Sequence, residues 1–175
     1  MTTTSLVRLL DASEIRARID ELCDVLENCV QGGASVSFML PFGREKSRAF
    51  WQSVADSAGR NERVVLVDEN SEGLINGTVQ LIVNQPENQP HRADVAKLLV
   101  HERARRQGIA GKLMAHLEIV AREQGKTVLV LDTSTGSGAE SFYTRCGWQK
   151  VGEIPRYALM PDGAMTATSV FYKFL

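Results

Sequence analysis

The spacing of apolar residues changes period partway along the chain, and that change restricts the fold more than any other feature. Ser5 to Leu10 reads as a short strand. Ser13 can then cap a helix whose apolar positions Ile15, Ile19, Leu22, Leu26 and Val30 recur every three or four residues. Gly32 and Gly33 end it, and a second helix is predicted from about Arg44 to Ala58, with Phe50, Trp51 and Val54 inward and Gly59 closing it. Beyond it the period changes. Arg63 to Asp68, Leu74 to Val83 and Ala93 to Val100 are β-branched runs separated by turn-rich stretches, the pattern of a strand meander. A helix follows from near Gly108, with Ile109, Leu113, Leu117 and Val120 on one face and Gly125 at its end. Thr127 to Leu131, "TVLVL", is a continuous apolar run, which predicts a strand covered on both faces. Ala139 to Arg145 reads as a short helix, Trp148–Val151 and Ser169–Phe174 as strands, and Pro161-Asp162-Gly163 as a turn. The order β-α-α-β-β-β-α-β-α-β-β specifies an α/β fold with a mixed central sheet flanked by helices. No linker or repeat divides the 175 residues, so one domain over 1–175 is expected.

Charge and cysteine usage narrow the function classes. A net charge of −1 and a pI near 6.3 imply no basic face for nucleic acid. No apolar run approaches the roughly 18 residues that span a bilayer, and Met1-Thr-Thr-Thr-Ser5 lacks the charged and apolar regions of a leader. Cys23, Cys29 and Cys146 are odd in number and follow no zinc spacing, so reduced thiols in a cytoplasmic protein are expected, with no metal. Cys23 and Cys29 fall in a helical pattern as core fillers.

The stretch from His101 to Met114, "HERARRQGIAGKLM", is the first with legible chemistry. A predicted strand runs into a glycine turn and then a helix whose first amide N–H groups lack intrahelical partners, where the macrodipole adds about half a positive charge. Gly108, Ala110 and Gly111 let an anion approach the backbone, while Arg105, Arg106 and Lys112 raise the local potential. The pattern predicts a phosphate cradle; a tight turn with solvated cations is the plainer alternative. A P-loop is absent, and the three glycines of a dinucleotide fingerprint are not supplied.

The run Arg105-Arg-Gln-Gly-Ile-Ala110, with Lys97-Leu-Leu-Val100 before it, resembles the acetyl-CoA site of the GNAT superfamily of N-acetyltransferases. Ala139-Glu-Ser-Phe-Tyr-Thr-Arg-Cys-Gly-Trp148 is similar to that family's second motif, in the right order and about thirty residues on. Gly32–Met39, Arg92–Leu98, Leu131–Thr133 with Ala139–Tyr143, and Val151–Pro155 with Pro161–Gly163 further resemble the tabtoxin-resistance acetyltransferases. Two departures stand out. Gly136-Ser-Gly138 occupies a place where many members carry Asn, and Trp148 stands where Phe is common.

The resemblance implies acetyl-CoA as cosubstrate and transfer of its acetyl group to the amine of a small, amino-acid-like molecule, as in toxin or antibiotic detoxification. It places the cofactor against Leu98, Leu99, Val100, Arg105, Arg106, Gln107, Gly108, Ile109, Ala110, Gly111 and Lys112. The oxyanion donor then lies on the Leu98–Val100 backbone, and such a donor contributes about 3 kcal/mol. Asp132 and Asp94 are the carboxylates that could serve the amine. An α-amine of pKa about 8 is about one-tenth neutral at pH 7, whereas a lysine-like amine needs help worth roughly 4–5 kcal/mol. Each carboxylate also has a structural reading, Asp132 as a turn cap and Asp94 as a partner of Arg92 or Arg8. Asp94 alternates onto the face of Leu98 unless a bulge intervenes. Tyr143 matches the family's general acid for the departing thiolate; between a Tyr near 10 and a thiol near 8.5, full proton transfer is uphill by about 2 kcal/mol. His91, His101 and His116 have no convincing partners, and Cys146 beside the Tyr143 helix is the one thiol near the chemistry.

The acceptor side is less legible. Gly32 to Phe42, "GGASVSFMLPF", combines glycines, hydroxyls and apolar residues as a substrate lid would, so Ser35 and Phe38 join Asp94 and Asp132 as substrate contacts. Phe38 and Met39 read equally well as core residues. Arg156 and Tyr157 are further candidates for an acceptor carboxylate. A peptide or protein N-acetyltransferase and a non-catalytic acyl-CoA-binding module are the rival readings. No nucleic-acid or membrane partner is expected, and monomer and homodimer are both open.

Overall fold

The computed structural model describes residues 4–175; Met1 to Thr3, part of the stretch read for a leader, lie outside the described residues. Strand β1 (Leu6–Leu10) leads into helices α1 (Ala12–Ala17), α2 (Ile19–Gln31) and α3 (Arg44–Gly59). The single first helix expected from the 3–4 spacing is split. Asp11, not Ser13, is the N-cap: its Oδ1 accepts from the Glu14 N–H at 2.8 Å, while Glu14 Oε2 accepts from the Asp11 N–H at 2.9 Å. Helical geometry lapses at Arg18 (φ −111°, ψ 22°), whose guanidinium is held by Glu21 and Glu69. Apolar spacing continues across that break, so periodicity alone could not register it. Gly32 and Gly33 close α2 as expected, and Trp51 and Val54 of α3 are buried.

Strands β2 (Arg63–Glu69), β3 (Ile75–Ile82) and β4 (Arg92–Val100) form the expected meander, followed by a short 3-10 turn at Glu102–Ala104 and helix α4 (Ile109–Glu123). Strand β5 (Val128–Ser134), helix α5 (Ala139–Arg145) and strands β6 (Gln149–Leu159) and β7 (Met165–Phe174) complete the order. The last hairpin is longer than its sequence pattern suggests, because β6 is exposed along nearly its whole length and so shows no alternation to read. The strands make one seven-stranded sheet in the order β1-β2-β3-β4-β5-β7-β6, antiparallel except for β4 and β5.

Helices α1–α3 cover one face of the sheet, burying Val65, Val67 and Leu99; α4 and α5 cover the other, burying Leu66, Val79, Leu81, Ala93 and Val95. Strand β5 is covered only on the α4 side. Leu129 and Leu131 are buried there, while Val130 and Asp132 alternate to the opposite, more open face, which corrects the expectation of a strand enclosed on both sides. Gly77 on β3 is what allows α4 to sit low: a Cβ there would stand 2.9 Å from Ile109 Cγ2 and 3.1 Å from Leu113 Cδ1.

Candidate active site

Two departures from regular pairing create the site. Strands β4 and β5 pair in parallel only from Arg92 to Asp94 and then diverge, leaving the edge of β4 beyond Asp94 without a neighbour on that side. Strand β4 also carries a bulge. Its pairing with β3 slips by one residue between Ala96 and Leu99, and Lys97 takes up the difference in the left-handed region at φ +57°. A one-residue slip exchanges the faces of every following side chain. Ala93 and Val95 pack beneath α4, Leu98 and Val100 return to that side, and Leu99 enters the core under α2.

The bulge also orients the backbone. Leu99 pairs with Thr78, and the His101 N–H donates to the Asn76 carbonyl at 2.8 Å, so Leu98 and Val100 turn their own N–H and C=O groups to the open edge. The Val100 carbonyl there accepts from Cys29 Sγ and Arg105 Nε, each at 3.4 Å. Beyond the edge lies a cleft of about 390 Å³, roofed by Gly33–Ser37 and by Tyr157–Met160 of the β6–β7 hairpin.

The glycine turn follows β4 along the chain; none of its residues lines the cleft, and Arg105 Nε, 3.4 Å from the Val100 carbonyl, ties it to the β4 edge. Arg106 (φ +61°) and Gly108 (φ +76°) adopt the left-handed conformation in alternation with their neighbours, and Gly108 is the N-cap of α4 with no side chain capping it. Lys112 N–H to the Gly108 carbonyl at 3.1 Å is the first helical bond, so the amides of Ile109, Ala110 and Gly111 lie ahead of the ladder. A Cβ on Gly108 or Gly111 would meet nothing within 4 Å, so both α-carbons border open space. Amides facing outward, a dipole and bare α-carbons fit a diphosphate. The cations are deployed unevenly. Arg106 is exposed at the turn, Arg105 folds back onto the Val100 carbonyl, and Lys112 reaches instead to Ser5 Oγ at 2.8 Å beside β1.

On the α4–α5 side the cleft is walled by Leu131 and Tyr143. The Tyr143 ring packs between Trp148 and Phe171, with centroids at 6.1 and 5.9 Å. Burial, with lesser repulsion from Cys146 and Asp132, pushes its phenol up to about 12. The lowered value that would complete a proton transfer is therefore not what the fold provides. On the opposite side Asp132 is exposed into the cleft, and its Oδ2 accepts from Thr168 Oγ1 at 2.7 Å. That hydroxyl comes from β7 and had no signal in the sequence.

Other expected residues are placed elsewhere. Asp94 does not line the cleft: it sits where β4 and β5 are still paired, bonded to Arg92 and, at 3.2 Å, to Gln85 Nε2, and the bulge puts it on the face opposite Leu98. Ser35 lines the cleft, but Phe38 stacks on Phe42 and Phe50, with centroids at 4.7 and 5.3 Å, and belongs to the α2–α3 core. Tyr157 lies at the mouth; Arg156 is exposed away from the lining. Gly136, in the stretch that replaces the common Asn, donates its N–H to Glu140 Oε2 at 2.7 Å and so steadies the turn before α5. None of the three histidines lines the cleft, and Cys23 and Cys29 are buried free thiols. The sequence reading missed Lys97, whose side chain does line it.

Residues 31–148, which contain both the glycine turn and Tyr143, match the model of the acetyltransferase (GNAT) family. The chain belongs to that family. An N-acetyltransferase of the hisH-hisA intergenic region of Azospirillum brasilense is 31% identical over 116 residues, covering 65% of this chain and 67% of its own. The GNAT fold is matched across almost the whole length by the ribosomal-protein-alanine N-acetyltransferase of Brucella melitensis (TM-score 0.76, 22% identity, 97% of this chain and 99% of that one). It is matched equally by yncA of Salmonella typhimurium, whose structure holds its cofactor acetyl-CoA (TM-score 0.77, 17% identity, 99% and 95%). This GNAT chain is an acetyl-CoA-dependent N-acetyltransferase. No metal-ligating cluster occurs among the described residues, and no helix among them is long and apolar enough to cross a membrane.

Proposed function

We propose that the acceptor is the primary amine of a small, amino-acid-like molecule and that the enzyme serves detoxification, in the manner of the tabtoxin-resistance acetyltransferases its segments resemble. The observation that carries this reading is the roofed cleft of about 390 Å³, which has the dimensions of a small-molecule site rather than a peptide groove. Its lining is rich in hydroxyls, among them Ser35, Ser37, Thr133 and Thr168, which suit a compact polar acceptor. Three free cysteines are consistent with work in the cytoplasm.

Bound acetyl-CoA supplies an acyl thioester. The amides of Ile109, Ala110 and Gly111, with Arg105 and Arg106, would hold the diphosphate. The open edge of β4 would hold the pantetheine arm, and a backbone N–H at Leu98 would serve as oxyanion donor, a contact of the kind that contributes about 3 kcal/mol where charge develops. Asp132 receives the amine on the other face of the sheet, and its carboxylate, fixed by Thr168, takes or directs the amine proton. Tyr143, whose burial keeps the phenol protonated, would donate a hydrogen bond to the leaving thiolate.

Thiol release with acetyl-CoA across amino acids, polyamines, aminoglycosides, β-lactam toxins and short peptides tests the reading, with product mass locating the acetyl group. Turnover confined to peptides would refute it. With the best small acceptor, Asp132→Asn is expected to lower kcat/KM at least tenfold while the calorimetric affinity for acetyl-CoA holds. An unchanged rate would remove Asp132 from the mechanism.

A further inference from the structure

A lysine on a strand ordinarily lets its flexible stem carry the ammonium out to water. Lys97 does not. The bulge turns it onto the α1–α3 face, the face of Asp132, and its Nζ lies under the roof of the cleft, donating to Ser37 Oγ at 3.2 Å and standing 5.9 Å from the centroid of the Phe50 ring. An ammonium has three donors, and the hydrogen bond to Ser37 is the one it makes among the described residues. Burial pushes its pKa down, Arg63 adds to the depression, and Asp132 pulls against it. A cation held this way gains from any anion that enters the cleft.

Asp132 stands on the same side of the opening with one oxygen engaged by Thr168. Two opposite charges, each only partly satisfied by the protein, therefore face one small polar volume. We infer that the acceptor is a zwitterion, with Lys97 and Ser37 binding its carboxylate while Asp132 faces its amine. The inference rests on the cleft being the acceptor site of an amine acetyltransferase, and it adds what that reading leaves open: which amines are admitted. A polyamine or aminoglycoside sets a like charge against Lys97. A peptide N-terminus carries a neutral amide where a free amino acid carries its carboxylate, and so forgoes the pairing.

Matched acceptors test it. Initial rates of thiol release from acetyl-CoA are measured for a set of free amino acids, each beside its own carboxamide. The carboxamide has the less basic amine and hence the larger neutral fraction, so amine basicity works against the expected result. The protein should favour the acid of its best pair by about ten- to a hundredfold in kcat/KM, the range of a charge-assisted hydrogen bond. Lys97→Met should abolish that preference and Lys97→Arg should retain part of it, with acetyl-CoA affinity by calorimetry unchanged in both. Equal rates for acid and amide, an equal loss on both in Lys97→Met, or a fall in acetyl-CoA affinity would overturn the role of Lys97 and leave acetyl transfer to an amine standing. Failure to acetylate any amine would overturn both.

Discussion

Replacing Tyr143 with Phe probes the departure step directly. Burial raises the Tyr143 phenol to about 12, and a cysteine-like thiol titrates near 8.5, so handing the proton over completely is uphill by about 4.8 kcal/mol. That is more than twice the cost expected for an ordinary tyrosine, and it changes the assignment from proton donor to hydrogen-bond donor. One hydrogen bond to a group gaining negative charge contributes about 1.5–3 kcal/mol. Tyr143→Phe is therefore expected to lower kcat by about 10- to 150-fold, with little change in acetyl-CoA affinity. The ring remains, so its packing against Trp148 and Phe171 remains, and thermal unfolding should confirm an intact fold. The pH profile supplies the sharper check. A phenol at about 12 gives no alkaline fall in kcat attributable to Tyr143 across the ordinary assay range. A fall centred near pH 9, present in the protein and missing in Tyr143→Phe, would show that the phenol ionises far more easily than its burial dictates. A rate within twofold of the parent would show that the hydroxyl does not reach the sulfur.

Three other perturbations follow from the same geometry. Gly108→Val places a β-branched side chain at φ +76° and fills space that no protein atom occupies, so acetyl-CoA affinity by calorimetry should fall at least tenfold; normal binding would disprove the diphosphate assignment. Gly77→Ala sets a Cβ 2.9 Å from Ile109 Cγ2 and 3.2 Å from the Leu99 carbonyl, and the resulting overpacking should cost about 1–3 kcal/mol in denaturant unfolding. Because Ile109 opens α4, the same variant should weaken acetyl-CoA binding as well. Asp68 is fully buried, and desolvation raises its pKa from 3.8 although Ser5 and Lys112 act to lower it. A raised folded value means that stability is greatest below the unfolded pKa and declines as pH rises through the folded one. Asp68→Asn should accordingly raise Tm by a few degrees at pH 7, corresponding to about 1–2 kcal/mol, and the gain should vanish as pH approaches 4; a gain of equal size at both pH values would exclude charge burial as the cause.

The glycine turn and the helices of the site were legible because their signals are local. Gly108 at the start of α4, the apolar face of Ile109, Leu113 and Leu117, and α5 around Tyr143 all depend on residues a few positions apart. What could not be read depends on partners far along the chain. The phase of β4 after Ala96 is set by its pairing with β3, and a single bulged residue decides that Leu99 is core, that Leu98 edges the cleft, and that Lys97 enters it. Strict alternation assigned Asp94 to the face of Leu98 for the same reason. Phe38 was ambiguous within its loop, since its stacking on Phe50 depends on how α3 packs. Val130 looks as apolar as Leu129, and only the end of the helical layer beyond β4 explains why one is covered and the other is not.

The divergence of β4 from β5 gives the two halves of the cleft different physical character, which the proposed chemistry would use. On the α4–α5 side Leu131, Trp148 and Phe171 surround Tyr143, so a hydrogen bond donated by its phenol would operate at low effective dielectric. That same exclusion of water raises the phenol and prevents it from ionising. On the other side the exposed Asp132 and Ser37, with the half-buried Lys97, form a polar surface on which, in the proposed mechanism, an ammonium would meet the Asp132 carboxylate. Placing both groups on one face would force a compromise, either a dry aspartate that resists ionisation or a wet tyrosine whose hydrogen bond competes with solvent. An acyl group placed in the gap between the strands would avoid the conflict, because β5 presents an apolar residue to one side and a charged one to the other, as Leu131 and Asp132 do.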